Sequence, residues 1–112
     1  MQENFCYINY YQGMALFKAI EEFKKKNQYF NDGIARSFEI EFLSQTEEKA
    51  LKPIQSKNYK FSKSMIDYLI RLTSINIYDK KYMKYFIKEQ QKIEKELIKN
   101  FKKSEMLTRK IK

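Results

Sequence analysis

A mainly α-helical fold is predicted for this chain: an N-terminal antiparallel helical hairpin, a third short segment and a long basic C-terminal helix. Three observations predict it. Only two glycines (Gly13, Gly33) and one proline (Pro53) punctuate 112 residues, too few for the many tight turns of an all-β chain. Apolar residues recur at spacings of three and four near the start, the stripe of a helix with one buried face. The last 34 residues, 79–112, contain neither Gly nor Pro and carry 12 Lys/Arg against 5 Asp/Glu. As one helix they would run about 50 Å at 1.5 Å per residue, longer than a domain of this size can bury, so the segment invites a partner.

The first helix is predicted from Phe5 to Phe23, where Phe5, Ile8, Tyr11, Ala15, Leu16, Ala19, Ile20 and Phe23 keep the helical spacing. It ends in Lys24, Lys25 and Lys26, cations suited to the negative end of the helix dipole. Asn27 and the run Asn31, Asp32, Gly33 then read as a turn. Asn31 or Asp32 caps a second helix from Ile34 toward Ala50, closed by Pro53, with Ile34, Ala35, Phe38, Phe42 and Leu51 as inward positions. Phe38, Ile40 and Phe42 also alternate with polar residues as a half-buried strand would. The helix formers that follow, Glu47 to Ala50, favour helix. The core of the hairpin is expected to be Leu16, Ile20 and Phe23 against Ile34, Phe38 and Phe42.

Residues 55–60 read as a polar connector. Ser62 or Ser64 then caps a helix through Met65, Tyr68, Leu69 and Leu72, and residues 73–78 alternate with β-branched positions and are expected to be extended. Asp79 reads as the N-cap of the final helix, with Tyr82, Phe86, Ile93, Leu97 and Phe101 on one side. The chain thus divides into a hairpin (1–52), a connector with a third element (53–78) and a basic amphipathic arm (79–112), all within one domain.

Composition excludes much chemistry. There is no histidine and a single cysteine, Cys6, which removes the commonest general base, the commonest zinc ligands and any internal disulfide. Two isolated glycines make no phosphate loop. The adjacent pairs Glu21–Glu22 and Glu47–Glu48 sit on predicted helices, where neighbours point apart, and read as solvated charge. No enzyme activity, cofactor or metal is expected. No window is apolar enough to span a membrane, the richest being broken by Asp67, Arg71 and Asn76. An intracellular protein follows as the expectation.

The net charge of +9 is concentrated in the arm. An AT-rich genome also raises lysine content, so the placement of the lysines carries more than their number. Two readings stand: a phosphate-tracking element using Lys80, Lys81, Lys84, Lys88 and Lys92 onward, with Lys99, Lys102 and Lys103 as candidate phosphate contacts, or an amphipathic helix whose lysines solvate its outer face. The excess of lysine over arginine, the usual bidentate phosphate ligand, favours the second.

In residues 7–23, Tyr7 followed by Gly13, Leu16, Ile20, Glu22 and Phe23 resembles the first helix of the small (gamma) subunit of transcription factor IIA. Asp32, Gly33, Ile34, Ala35, Phe38, Ile40 and Phe42 are similar to that family's second helix. Gln55, Ser56, Lys57, Phe61, Met65, Tyr68, Ile75 and Ile77 are similar to its strand region. The resemblance covers about residues 4–78, and Ile75 stands where the family has a Trp. It implies a non-enzymatic, nuclear subunit of a general RNA polymerase II transcription factor. The hairpin would join helices of a larger subunit, a C-terminal half would complete a β-barrel in an α+β fold, and the complex would support TATA-binding protein on promoter DNA. Tyr68 and Ile75 would be partner-contacting residues. The alternative is a small basic helical adaptor or accessory subunit of a larger assembly, with its arm open to nucleic acid or protein.

Overall fold

The computed structural model describes residues 4–48 and 59–110. In chain order these form strand β1 (Phe5–Ile8), helices α1 (Tyr10–Lys26) and α2 (Gly33–Glu48), strand β2 (Tyr59–Ser62), and helices α3 (Lys63–Thr73) and α4 (Lys80–Lys110). The fold is mainly α with one small antiparallel ribbon, in which Phe5 faces Ser62 and Ile8 faces Tyr59.

The first helix starts later than its apolar spacing predicts. Phe5 and Ile8 fit a helical stripe, but they lie in a strand that buries Ile8 completely. Asn9 makes the break: its backbone is extended (ψ 173°), and its side chain accepts a 2.8 Å hydrogen bond from the Gln12 amide. The Gln12 side chain in turn accepts a 2.8 Å bond from the Asn9 amide. This reciprocal pair satisfies two backbone donors that would otherwise be orphaned, and so fixes the start of α1.

Of the two capping candidates for α2, Asp32 serves: its carboxylate accepts from the amides of Ile34 (2.8 Å) and Ala35 (3.1 Å). The helical period prevails over strand alternation at Phe38–Phe42, burying both phenylalanines and leaving Ile40 exposed. Ile34, expected in the core, is 42% exposed because it occupies the outer side of the first turn, and Ala35 takes the buried place. Leu16, Ile20, Phe38 and Phe42 are buried as expected, and Phe23 packs edge-on against Phe30 with ring centroids 4.7 Å apart. Lys24 and Glu39 form an ion pair between α1 and α2. The expected ends of the second helix at Ala50 and Pro53, the inward Leu51, and connector residues 55–58 lie outside the described residues.

Tyr59 and Lys60, read as connector, belong to β2, as do Phe61 and the capping candidate Ser62. Their pairing with β1 is non-local, and the outer edge of β2 is met by a side chain. Buried Gln45 on α2 accepts from the Lys60 amide (3.0 Å) and donates to the Lys60 carbonyl (2.9 Å). One amide thus supplies the two bonds that a further strand would make. Residues 73–78 are not extended. Thr73 ends α3 with its hydroxyl donating to the Leu69 carbonyl (2.7 Å), Ser74 turns left-handed (φ 61°), and Asn76 forms a tight turn by accepting from the Tyr78 amide (3.0 Å). The β-branched alternation has no neighbouring strand to pair with, and Ile77 is instead buried in the core.

That core gathers Ile8, Leu16, Ile20, Phe38, Tyr59, Ile66, Leu69 and Ile77 from every element except α4, to which Met83 belongs. Complete burial of one such aliphatic side chain is worth about 1.5–3 kcal/mol. Phe42 lies in an aromatic row, 5.3 Å from Tyr59 and 5.9 Å from Phe38, and its ring edge rests on Gly13.

Candidate functional site

Helix α4 carries the longest unbroken run of exposed positions among the described residues, 91–103. Asp79 starts it, its carboxylate accepting from the amides of Lys81 (2.9 Å) and Tyr82 (3.2 Å). With 31 residues and no Gly or Pro, it extends for about 46 Å. Where residues 79–112 were expected to complete a barrel half under the family resemblance, the described part is this single helix.

Its first eleven residues are anchored rather than free. Met83 is buried, and Tyr82 and Phe86 pack against the core. Lys18 of α1 donates a 2.9 Å hydrogen bond to the buried Gln90 and holds its ammonium 6.0 Å from the Phe86 ring centroid. The Tyr82 phenol is pushed up by burial and by nearby Glu22, and the Tyr10 phenol by burial and by nearby Glu94. The Gln12 side chain of α1 also donates to the Ile77 carbonyl (3.1 Å), fixing the entry to α4 beside the start of α1. Beyond Gln90 the body ends, and every residue from Gln91 to Lys103 is exposed.

The charges on this helix are sorted by face. At 3.6 residues per turn, Lys81, Lys84, Lys88, Lys92, Lys95, Lys99 and Lys102 fall within an arc of about 80° and form a row about 31 Å long. All seven are exposed. Asp79, Glu89, Glu94 and Glu96 lie outside that arc, and among the described residues Lys24–Glu39 is the one ion pair. Among the described residues, none of the seven lysines is in an ion pair. On the other side, Ile93, Leu97 and Phe101 continue the row that Tyr82 and Phe86 begin, with Leu97 62% and Phe101 71% exposed.

Lys99 and Lys102 thus belong to the row and Lys103 borders it. The other candidate residues are not brought together with them. Tyr68 lies on α3, where its hydroxyl donates to the Asp32 carboxylate and ties α3 to the start of α2. That bond holds the Asp32 carboxyl below its ordinary value and the Tyr68 phenol above its own. Ile75 is half-buried against the core after α3. Both take part in packing within the chain. Cys6 sits on β1, its thiol pushed up by burial, while the adjacent Tyr78 phenol is pushed up to about 12, chiefly by burial.

Among the described residues, no three His, Cys, Asp or Glu side chains gather as metal ligands, and no helix is long and apolar enough to cross a membrane. No protein family matches the chain, and comparisons with curated proteins and with solved structures find no match either.

Proposed function

We propose that this chain is a non-enzymatic adaptor whose α4 arm lies along the phosphate backbone of a nucleic acid. The observation that carries this reading is the lysine row: seven exposed cations on one face of a single helix, none in an ion pair among the described residues and with no carboxylate inside their arc. Each lysine that replaces a condensed counterion gains the entropy of that counterion's release. Lysine's point charge suits contact with phosphates irrespective of sequence, whereas bidentate recognition would call for arginine. An anionic lipid surface fits the row less well. At 3.6 residues per turn Glu94 falls between Phe101 and Ile98 on the apolar side and Glu96 borders it, and carboxylates at that depth oppose seating on an anionic bilayer.

The test is fluorescence anisotropy with a 20-base-pair duplex of random sequence across a salt series. Log affinity is expected to fall linearly with log salt, and replacing Lys99, Lys102 and Lys103 with Gln is expected to lower the slope by about 0.9 for each phosphate that is no longer neutralised. A triple variant that keeps both affinity and slope refutes the reading, as does tighter binding to phosphatidylserine vesicles than to the duplex.

A second reading makes the chain a small subunit of transcription factor IIA, acting in the nucleus with a larger subunit and TATA-binding protein. The pairing of α1 with α2 through Leu16, Ile20, Phe38 and Phe42 supports it. The helix at 80–110, where that family builds strands, weighs against it. On this reading the lone chain leaves duplex DNA unbound and shifts a promoter duplex only with TATA-binding protein and the larger subunit present.

A further inference from the structure

On the reading above the lysine row of α4 meets phosphate, and the opposite face carries none of its seven lysines. We infer that this face is a docking site for an acidic amphipathic helix of another protein. Tyr82 and Phe86 begin an apolar row that the body of the protein covers, and Ile93, Leu97 and Phe101 extend the same row past the end of that cover. An interface already built within the chain is therefore prolonged without its second half. Ile98 widens the exposed stretch at 56% exposure.

Charge selects the kind of helix. Between residues 92 and 103 the arm carries five lysines against Glu94 and Glu96. Lys95 and Lys102 border the apolar row on one side, Lys92 and Lys103 lie beyond Glu96 on the other, and Glu94 falls between Phe101 and Ile98. A second copy of this chain would bring the same excess of positive charge to the contact and be repelled. A partner with leucine-like residues along one stripe and glutamates on both flanks would bury the apolar row and meet the lysines with opposite charge.

The experiment uses the full chain and two synthetic 28-residue amphipathic helices with the same leucine stripe, one flanked by Glu and the other by Lys, each carrying fluorescein. The Glu-flanked peptide is expected to bind at least tenfold tighter than the Lys-flanked one. The double substitution Leu97→Ser with Phe101→Ser is expected to weaken it at least tenfold while leaving the melting temperature and duplex-DNA affinity within error. Retained duplex binding separates this test from that of the lysine row. Equal binding of the two peptides, or peptide binding unchanged by the serines, overturns the proposal. So does a wild-type dimer in sedimentation equilibrium that the serines dissolve, because the occupant is then a second copy. A loss of duplex affinity with no peptide binding overturns it as well, placing Leu97 and Phe101 in the nucleic-acid site.

Discussion

Replacing Gly13 with Ala tests the packing of the hairpin by its sign. Gly13 is the fourth residue of α1, a position where alanine ordinarily stabilises a helix by about 1 kcal/mol over glycine. Here the added methyl would stand 2.4 Å from Cε2 and 2.8 Å from Cδ2 of Phe42. The ring cannot swing aside freely, because it contacts Tyr10, Phe17, Phe38 and Tyr59 at centroid distances of 5.3–6.1 Å. Overpacking of this kind costs about 1–3 kcal/mol. Setting that against the gain in helix propensity leaves a net loss of about 1 kcal/mol, or about 4 °C in melting temperature. Urea unfolding followed by far-ultraviolet circular dichroism measures it, with an unchanged m-value as the check that only stability has moved. In a Phe42→Val background all three ring atoms near Gly13 are gone, and Gly13→Ala is expected to become stabilising. The coupling between the two positions should then be about 2 kcal/mol. A stabilising Gly13→Ala in the wild-type background would refute the packing argument.

Two further substitutions probe the remaining contacts. Gln45→Ala removes both hydrogen bonds to the Lys60 backbone and is expected to cost about 1–2 kcal/mol; hydrogen exchange at the Lys60 amide should quicken, and unchanged protection there would mean that the Gln45 amide is not what holds the strand edge. Tyr68→Phe removes the donor that holds the Asp32 carboxyl below its ordinary value of 3.8. Because the folded value is the lower one, the stabilisation is complete above the unfolded value and is lost as pH falls through the folded value. The stability gap between wild type and Tyr68→Phe should therefore be full at pH 6 and shrink in acid below pH 3.8, and a gap that widens in acid would reverse the assignment.

The helices were legible because each buries enough positions to display its period. Leu16, Ile20, Phe38, Phe42, Ile66 and Leu69 announce their faces, and Asp32 and Asp79 announce two starts. The strands were not. Four residues such as Phe5–Ile8 hold too few positions to distinguish a period of two from one of three and a half, and their partner lies some 54 residues on in the chain. The local signal that could have placed the break was the pair Asn9 and Gln12, polar residues at capping-box spacing. For the candidate site, the lysines and the apolar row of α4 were both visible in the sequence. Where the body stops covering them was not, since that depends on tertiary contacts such as Lys18 with Gln90. Nor could Tyr68 and Ile75 be separated from a partner surface by sequence, because an aromatic and a branched side chain look alike whether they face the protein's own core or another chain.

The Gln45 amide has a further consequence for how this protein behaves when crowded. A two-stranded ribbon offers its outer backbone groups as a template on which another chain can add as a new strand, the usual first step toward aggregation. At Lys60 that template is already occupied by a side chain held in α2, so an incoming strand must first break two hydrogen bonds and displace a buried residue. A single glutamine thus guards the middle of a short strand whose edge would otherwise stand open to a neighbouring chain.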